Sequence, residues 1–106
     1  LQVAPAELET LLLSHPDVRE VAVAGVPHAE FGEAARAFVV LRDGRLGDSA
    51  MQKNLEEFVR GLVAFHKQLH GGVEFLDTLP ATDTGKPLRR QLSEAYVKRT
   101  AAVANN

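Results

Sequence analysis

Two stretches, EVAVAGV at residues 20–26 and AFVVL at residues 37–41, are apolar at consecutive positions and rich in β-branched side chains. A strand with one face in water alternates apolar and polar residues, so segments apolar on both faces suit strands buried within a sheet. The remaining segments must therefore cover a sheet. The ten residues between the two stretches are expected to form a loop or a short helix.

Helical patterning surrounds them. Pro5 suits a first helical turn, Glu7 and Glu9 complement the positive end of the helix dipole, and Leu8, Leu11 and Leu12 make one apolar face until Pro16 stops the helix. RDGRLGDS, residues 42–49, is turn chemistry, with Asp48 or Ser49 as the cap of a second helix. Met51, Leu55, Phe58, Val59, Leu62 and Phe65 recur on it at helical spacing, and Gly71 and Gly72 are its expected end. Leu55, Phe58, Val59 and Leu62 should face the sheet. VEFLDTL, residues 73–79, alternates like a third strand, and Pro87 opens a last amphipathic helix through Leu88, Leu92, Ala95 and Tyr96. Without a regular βαβ rhythm the expected fold is α+β: a small open sheet of about three strands with helices packed on it.

A chain of 106 residues accommodates one core and not two domains of ordinary size. It has no cysteine, so disulfide and thiolate chemistry are excluded, and no apolar run approaches membrane-spanning length. The net charge of −2 conceals an asymmetry: residues 1–85 carry 7 basic and 13 acidic groups, whereas residues 86–99 carry five basic groups and only Glu94. Charge alone leaves open whether that end meets an anion or is a solvated basic helix face.

PATDTGKPLRR, residues 80–90, places Lys86 between a glycine and a proline. A phosphate-binding P-loop would need glycine at position 80 and Ser or Thr at position 87, where this chain has Pro80 and Pro87. What remains is a polar loop delivering Lys86 to a helix N-terminus, where free N–H groups favour an anion. His66 and His70 have the i, i+4 spacing of helical metal ligands but no third ligand nearby, so no metal site is expected. His15 and His28 read as turn or helix-end residues, Asp77 and Asp83 as turn residues, and basic residues are not interleaved with aromatics as on a nucleic-acid surface.

Three blocks, QVAPAELE (residues 2–9), LHGGVEFLDTLP (69–80) and TGKPLRRQL (84–92), resemble in order and spacing the C-terminal domain of adenylate-forming enzymes. The resemblance is to the acyl-CoA synthetase branch that holds 4-coumarate:CoA ligases and beetle luciferases. It extends over residues 1–98, with 99–106 as an alanine-rich tail, and HPDVREVAVAGVPHAEFGEAARAFVVL fits the same family. The resemblance implies a mobile lid domain whose lysine, here Lys86, enters the active site of a larger N-terminal domain during adenylation. There it would bridge the substrate carboxylate and the α-phosphate region of the nucleotide. Gly85 would let the loop enter a narrow site, and Gln2 matches a family glutamine beside the nucleotide and the acyl-adenylate.

The function so implied is that of the lid of an ATP-dependent carboxylate:CoA ligase, using ATP, Mg²⁺ and coenzyme A held mainly by the N-terminal domain. That domain, in the same chain, and a carboxylic acid are the implied partners. The isolated fragment is expected to be inactive. Alternatives are the lid of a luciferase-type monooxygenase, an adenylation domain loading a carrier protein, which VAPAELE and GGV disfavour, and a stand-alone module whose basic helix recruits an acidic partner. With no signal peptide and an AVANN terminus in place of a peroxisomal Ser-Lys-Leu address, a cytoplasmic location is expected.

Overall fold

Strand β1 (Val18–His28) and strand β2 (Gly32–Leu41) pair as an antiparallel hairpin, from Val18 opposite Leu41 to His28 opposite Gly32. The computed structural model describes residues 4–82 and 85–104, with residues 66 and 102–104 as backbone only. The segment expected to be a loop or short helix is instead mostly strand, leaving residues 29–31 as the turn. Ala34 and Ala35 obscured this: alanine favours helix locally, yet both are buried in the ladder at 4% and 3% exposure, so cross-strand pairing overrides propensity. Gly32 closes the turn at φ +78°, a left-handed conformation that side chains disfavour.

Strand β3 (Val73–Phe75) joins β2 in parallel, with Ala37 opposite Val73 and Val39 opposite Phe75, giving the order β1-β2-β3. A parallel pair needs a crossover. Helix α2 (Ser49–Arg60) and one 3-10 turn, Phe65–Lys67, supply it. The Asp48 side chain caps α2 by accepting the Met51 N–H at 2.9 Å, as its sequence position indicated.

The two faces of the sheet are covered differently. Helix α1 (Pro5–Leu13) and α2 cover one, burying Leu8, Leu12, Leu55 and Val59 against Val23, Ala37, Val39 and Val73. Helix α3 (Leu88–Ala104) covers the other, where Leu92, with Leu88 and Tyr96, meets Ala22, Ala24 and Phe38. The small side chains of this stretch of β1 let α3 come near, and the Ser93 hydroxyl donates to the Gly25 carbonyl at 2.8 Å.

Helix α2 is shorter than its apolar periodicity suggests. It ends at Arg60 with Gly61 as cap, so Leu62 and Phe65, expected on its apolar face, stand 55% and 64% exposed. Phe58 is only half-buried, set edge-on to the His15 ring at 5.0 Å. Gly71 and Gly72 do not end this helix. They steer the chain into β3: Gly71 N–H donates to the Ala35 carbonyl at 2.8 Å, and a Cβ there would lie 2.7 Å from that oxygen. His15 is a helix-end residue, as expected, but a buried one, accepting the Asp17 N–H on Nδ1 and donating from Nε2 to Asn54 Oδ1 at 2.8 Å.

This division of α2 is testable by thermal or urea unfolding. Leu55→Ala should cost about 2 to 5 kcal/mol through the cavity it leaves, and Leu62→Ala about 0.5 kcal/mol or less. Equal losses would show that the helix continues past Gly61 and buries Leu62.

Candidate functional site

The chain leaves β3, tucks Leu76 and Leu79 against the α3 side of the sheet, and reaches Lys86 immediately before α3. Gly85 has φ +83°, and nothing lies within 4 Å of where a Cβ would be. Glycine is therefore favoured here by backbone conformation and not by crowding. The Pro87 carbonyl accepts the Gln91 N–H at 3.1 Å, so helical bonding starts one residue after the lysine.

Helix α3 is fixed at both ends by charge. Near its start Arg89 grips Glu9 with two bonds, Nη2 to Oε1 at 2.7 Å and Nε to Oε2 at 3.1 Å. Glu9 Oε2 also accepts the Val23 N–H at 2.8 Å, so one α1 carboxylate ties the outer strand β1 to the helix behind the lysine. The fork geometry makes this stronger than a point contact, and the Glu9 bond holds the Arg89 guanidinium above its ordinary pKa against the opposing effect of burial. Farther along, Arg99 Nη2 reaches Glu74 Oε1 at 2.7 Å, the same oxygen that Arg36 contacts from Nε and Nη2 at 3.1 and 2.9 Å. Tyr96 lies beneath both guanidinium groups, 4.6 Å from Arg36 and 5.8 Å from Arg99.

Lys86 itself lies along the first turns of α3. Its Nζ is 2.7 Å from Glu94 Oε1, while Glu94 Oε2 accepts from Arg90 Nε at 3.0 Å. The lysine side chain is 43% exposed. Lys86, Gln91, Glu94, Ala95 and Lys98 line an open depression of about 450 Å³. The hydrogen bond from Lys86, and after it the one from Arg90, holds the Glu94 carboxyl below its ordinary range. Four of the five basic groups of this end, Lys86, Arg89, Arg90 and Arg99, thus meet a carboxylate within the chain, with Lys86 and Arg90 sharing Glu94. An acidic partner recruited by this helix would have to displace those contacts.

Of the residues singled out in the sequence, Lys86 and Gly85 lie together at the start of α3, while Gln2 and Asp83 lie outside the described residues. The helical spacing of His66 and His70 is not realised, because α2 ends before both, and His70 Nε2 donates to the Phe65 carbonyl at 2.7 Å. Among the described residues no group of three His, Cys, Asp or Glu could hold a metal ion. No described helix is long and apolar enough to cross a membrane. Pattern reading registered Glu94 only as the lone acid of a basic segment; its i, i+4 relation to Arg90 was the available signal that it sits on the lysine's side of α3.

Comparison with known proteins places this arrangement in context. The family described as AMP-binding enzyme C-terminal domain matches residues 7–86. The acyl-CoA ligase lcsD of Purpureocillium lilacinum is 50% identical over 95 residues, 89% of this chain and 25% of that protein. Luciferin 4-monooxygenase of Photinus pyralis is 41% identical over 97 residues, 92% of this chain and 17% of that protein. The crystal structure of ATP-bound MatB from Rhodopseudomonas palustris superposes with a TM-score of 0.78 at 35% identity, over 91% of this chain and 18% of that one. The chain therefore spans a quarter or less of each of these relatives.

The shared carboxylate gives a direct titration test. Since its pKa is lowered, Glu94 should stay ionised as pH falls past the ordinary value of about 4.3 and release its cations only below that. Carboxyl-carbon NMR should show the Glu94 midpoint rising in Lys86→Ala, and by more than in Arg90→Ala. The reverse order would mean that Arg90 is the principal partner.

Proposed function

The chain belongs to the AMP-binding enzyme C-terminal domain family, and from that membership we propose that it is the mobile lid of an ATP-dependent carboxylate:CoA ligase, with Lys86 as its catalytic residue. In the first half-reaction a substrate carboxylate oxygen attacks the α-phosphorus of ATP. The P–O bond to pyrophosphate breaks and its electron pair leaves with pyrophosphate, giving an acyl-adenylate. Negative charge gathers on the α-phosphate oxygens as this happens. The Lys86 ammonium, carried into the site of an N-terminal domain, offsets that charge and draws carboxylate and phosphate together. Gly85 supplies the left-handed turn by which the backbone enters the lysine, and Gln2 would contact the nucleotide.

What supports this reading is the mounting of Lys86: a lysine on a left-handed glycine, directly ahead of a helix tied to α1 and β1 through Arg89 and Glu9. A rigid backing lets a domain movement carry the ammonium as one piece. In the second half-reaction the lid turns so that the coenzyme A thiol reaches the acyl carbonyl. The C–S bond forms, AMP leaves with the C–O bonding pair, and the thiol proton passes to solvent. Lys86 is withdrawn at that stage. ATP, coenzyme A and Mg²⁺ are assigned mainly to the N-terminal domain; the ion would offset phosphate charge there. Similarity to an acyl-CoA ligase at 50% identity favours ligase chemistry over the luciferin monooxygenation named for the Photinus relative at 41%. The lid would serve adenylation in either.

Separate assays of the two half-reactions in the parent enzyme test the assignment. Lys86→Ala should slow acyl-adenylate formation about 100-fold to 1000-fold, as removal of one positioned donor does elsewhere. Transfer of a preformed acyl-adenylate to coenzyme A should be retained. Equal loss in both would contradict a role confined to one lid orientation, and normal adenylation would leave Lys86 a solvated lysine.

A further inference from the structure

We propose that Glu94 is a positioning residue for the lysine: a resting carboxylate that holds Lys86 against α3 whenever the lid is not seated for adenylation, and that Arg90 eases the release. The inference rests on the adenylation role given to Lys86 above and adds the residue that regulates its availability.

The geometry carries it. Lys86 and Glu94 are eight positions apart, yet Nζ and Oε1 lie at 2.7 Å because the lysine folds back along two turns of the helix. An ammonium held there points along α3 and not away from it, so it must leave Glu94 before it can meet a substrate on another domain. The departure exchanges one carboxylate for another anion, the substrate carboxylate with its neighbouring phosphate, so the lysine is never without a counter-charge. Glu94 is not left unpaired either. Its second oxygen already accepts from Arg90 at 3.0 Å, and Lys98 lines the same depression.

The contact must also be weak enough to break in each turnover. Lys86 and Glu94 are 43% and 49% exposed in their side chains, and exposed pairs are worth a factor of about 1.5 to 5 in population. That suits a rest position, since a buried pair would trap the lysine.

Opposite signs from two neutralising variants give the test. In the parent enzyme, with the ratio of adenylation rate to thiol-transfer rate as readout so that loss of folded protein cancels, Glu94→Gln should raise the ratio about 1.5- to 5-fold at subsaturating carboxylate. Arg90→Gln, which leaves Glu94 to Lys86 alone, should lower it. Both shifts should shrink as sodium chloride rises from about 0.05 M to about 0.5 M, because exposed pairs are screened. A structural role for this stretch of α3 would move both variants the same way. A lowered or unchanged ratio in Glu94→Gln, or a raised one in Arg90→Gln, overturns the resting role, while a large adenylation loss in Lys86→Ala alongside would leave the lysine's own role standing. Normal adenylation in Lys86→Ala would overturn both.

Discussion

Burial of the β1–β2 hairpin on both faces is the constraint on which the rest depends. Val23, Ala37 and Val39 point to one side, Ala22, Ala24 and Phe38 to the other, and none exceeds 2% exposure. Leaving either face in water would expose a buried apolar cluster that a chain of this size cannot readily forgo. Helices α1 and α2 meet the first requirement. The second is met by α3, with Leu76 and Leu79 beside it, so packing of the sheet's far side and placement of Lys86 are linked: the helix that covers Ala22, Ala24 and Phe38 begins two residues after the lysine.

Much of this was legible in the residues themselves. Consecutive β-branched positions marked the buried strands, Asp48 or Ser49 the α2 cap, of which Asp48 is the one used, and Leu8, Leu11 and Leu12 the apolar stripe of α1. The errors share a cause, which is that a local pattern cannot register a distant backbone. Ala34 and Ala35 lack the bulk and branching that mark a strand, and only pairing with Val26 and Gly25 makes them one. Leu62 and Phe65 continue a helical period that Gly61 cuts short. Gly71 looked like a helix stop because its closeness to the Ala35 carbonyl, across 36 residues, has no trace in its neighbours. At the lysine loop Gly85 carried only the family-implied expectation of entry into a narrow site, and its left-handed φ of +83° comes from the structure. The ties from Glu9 to Arg89 and from Glu94 to Lys86 have no local trace either: Glu9 and Arg89, 80 residues apart, meet beside Val23 of β1 only once α1 and α3 have packed on the two faces of the sheet, and Lys86 reaches Glu94 only by folding back along α3.

Charge is distributed so that the helix is held while the lysine stays available. The bidentate Arg89–Glu9 contact and the Arg36–Glu74–Arg99 cluster join separate elements and resist displacement of α3. The Lys86–Glu94 contact joins a loop to the helix that follows it and resists little. The lid proposed for this chain, presenting the lysine for one half-reaction and removing it for the next, would need both properties, firmness in the body and looseness at the tip. Family membership supplies the setting, and these contacts supply a physical basis for the proposed movement.

The most direct measurement is a crystal structure of the parent enzyme holding a non-hydrolysable acyl-adenylate mimic, with the lid in its adenylation orientation. The account predicts Lys86 Nζ within about 3 Å of the mimic's acyl or phosphate oxygens, parted from Glu94, with Glu94 still on Arg90. A lysine still bound to Glu94 in that orientation, with another cation on the adenylate, would contradict it.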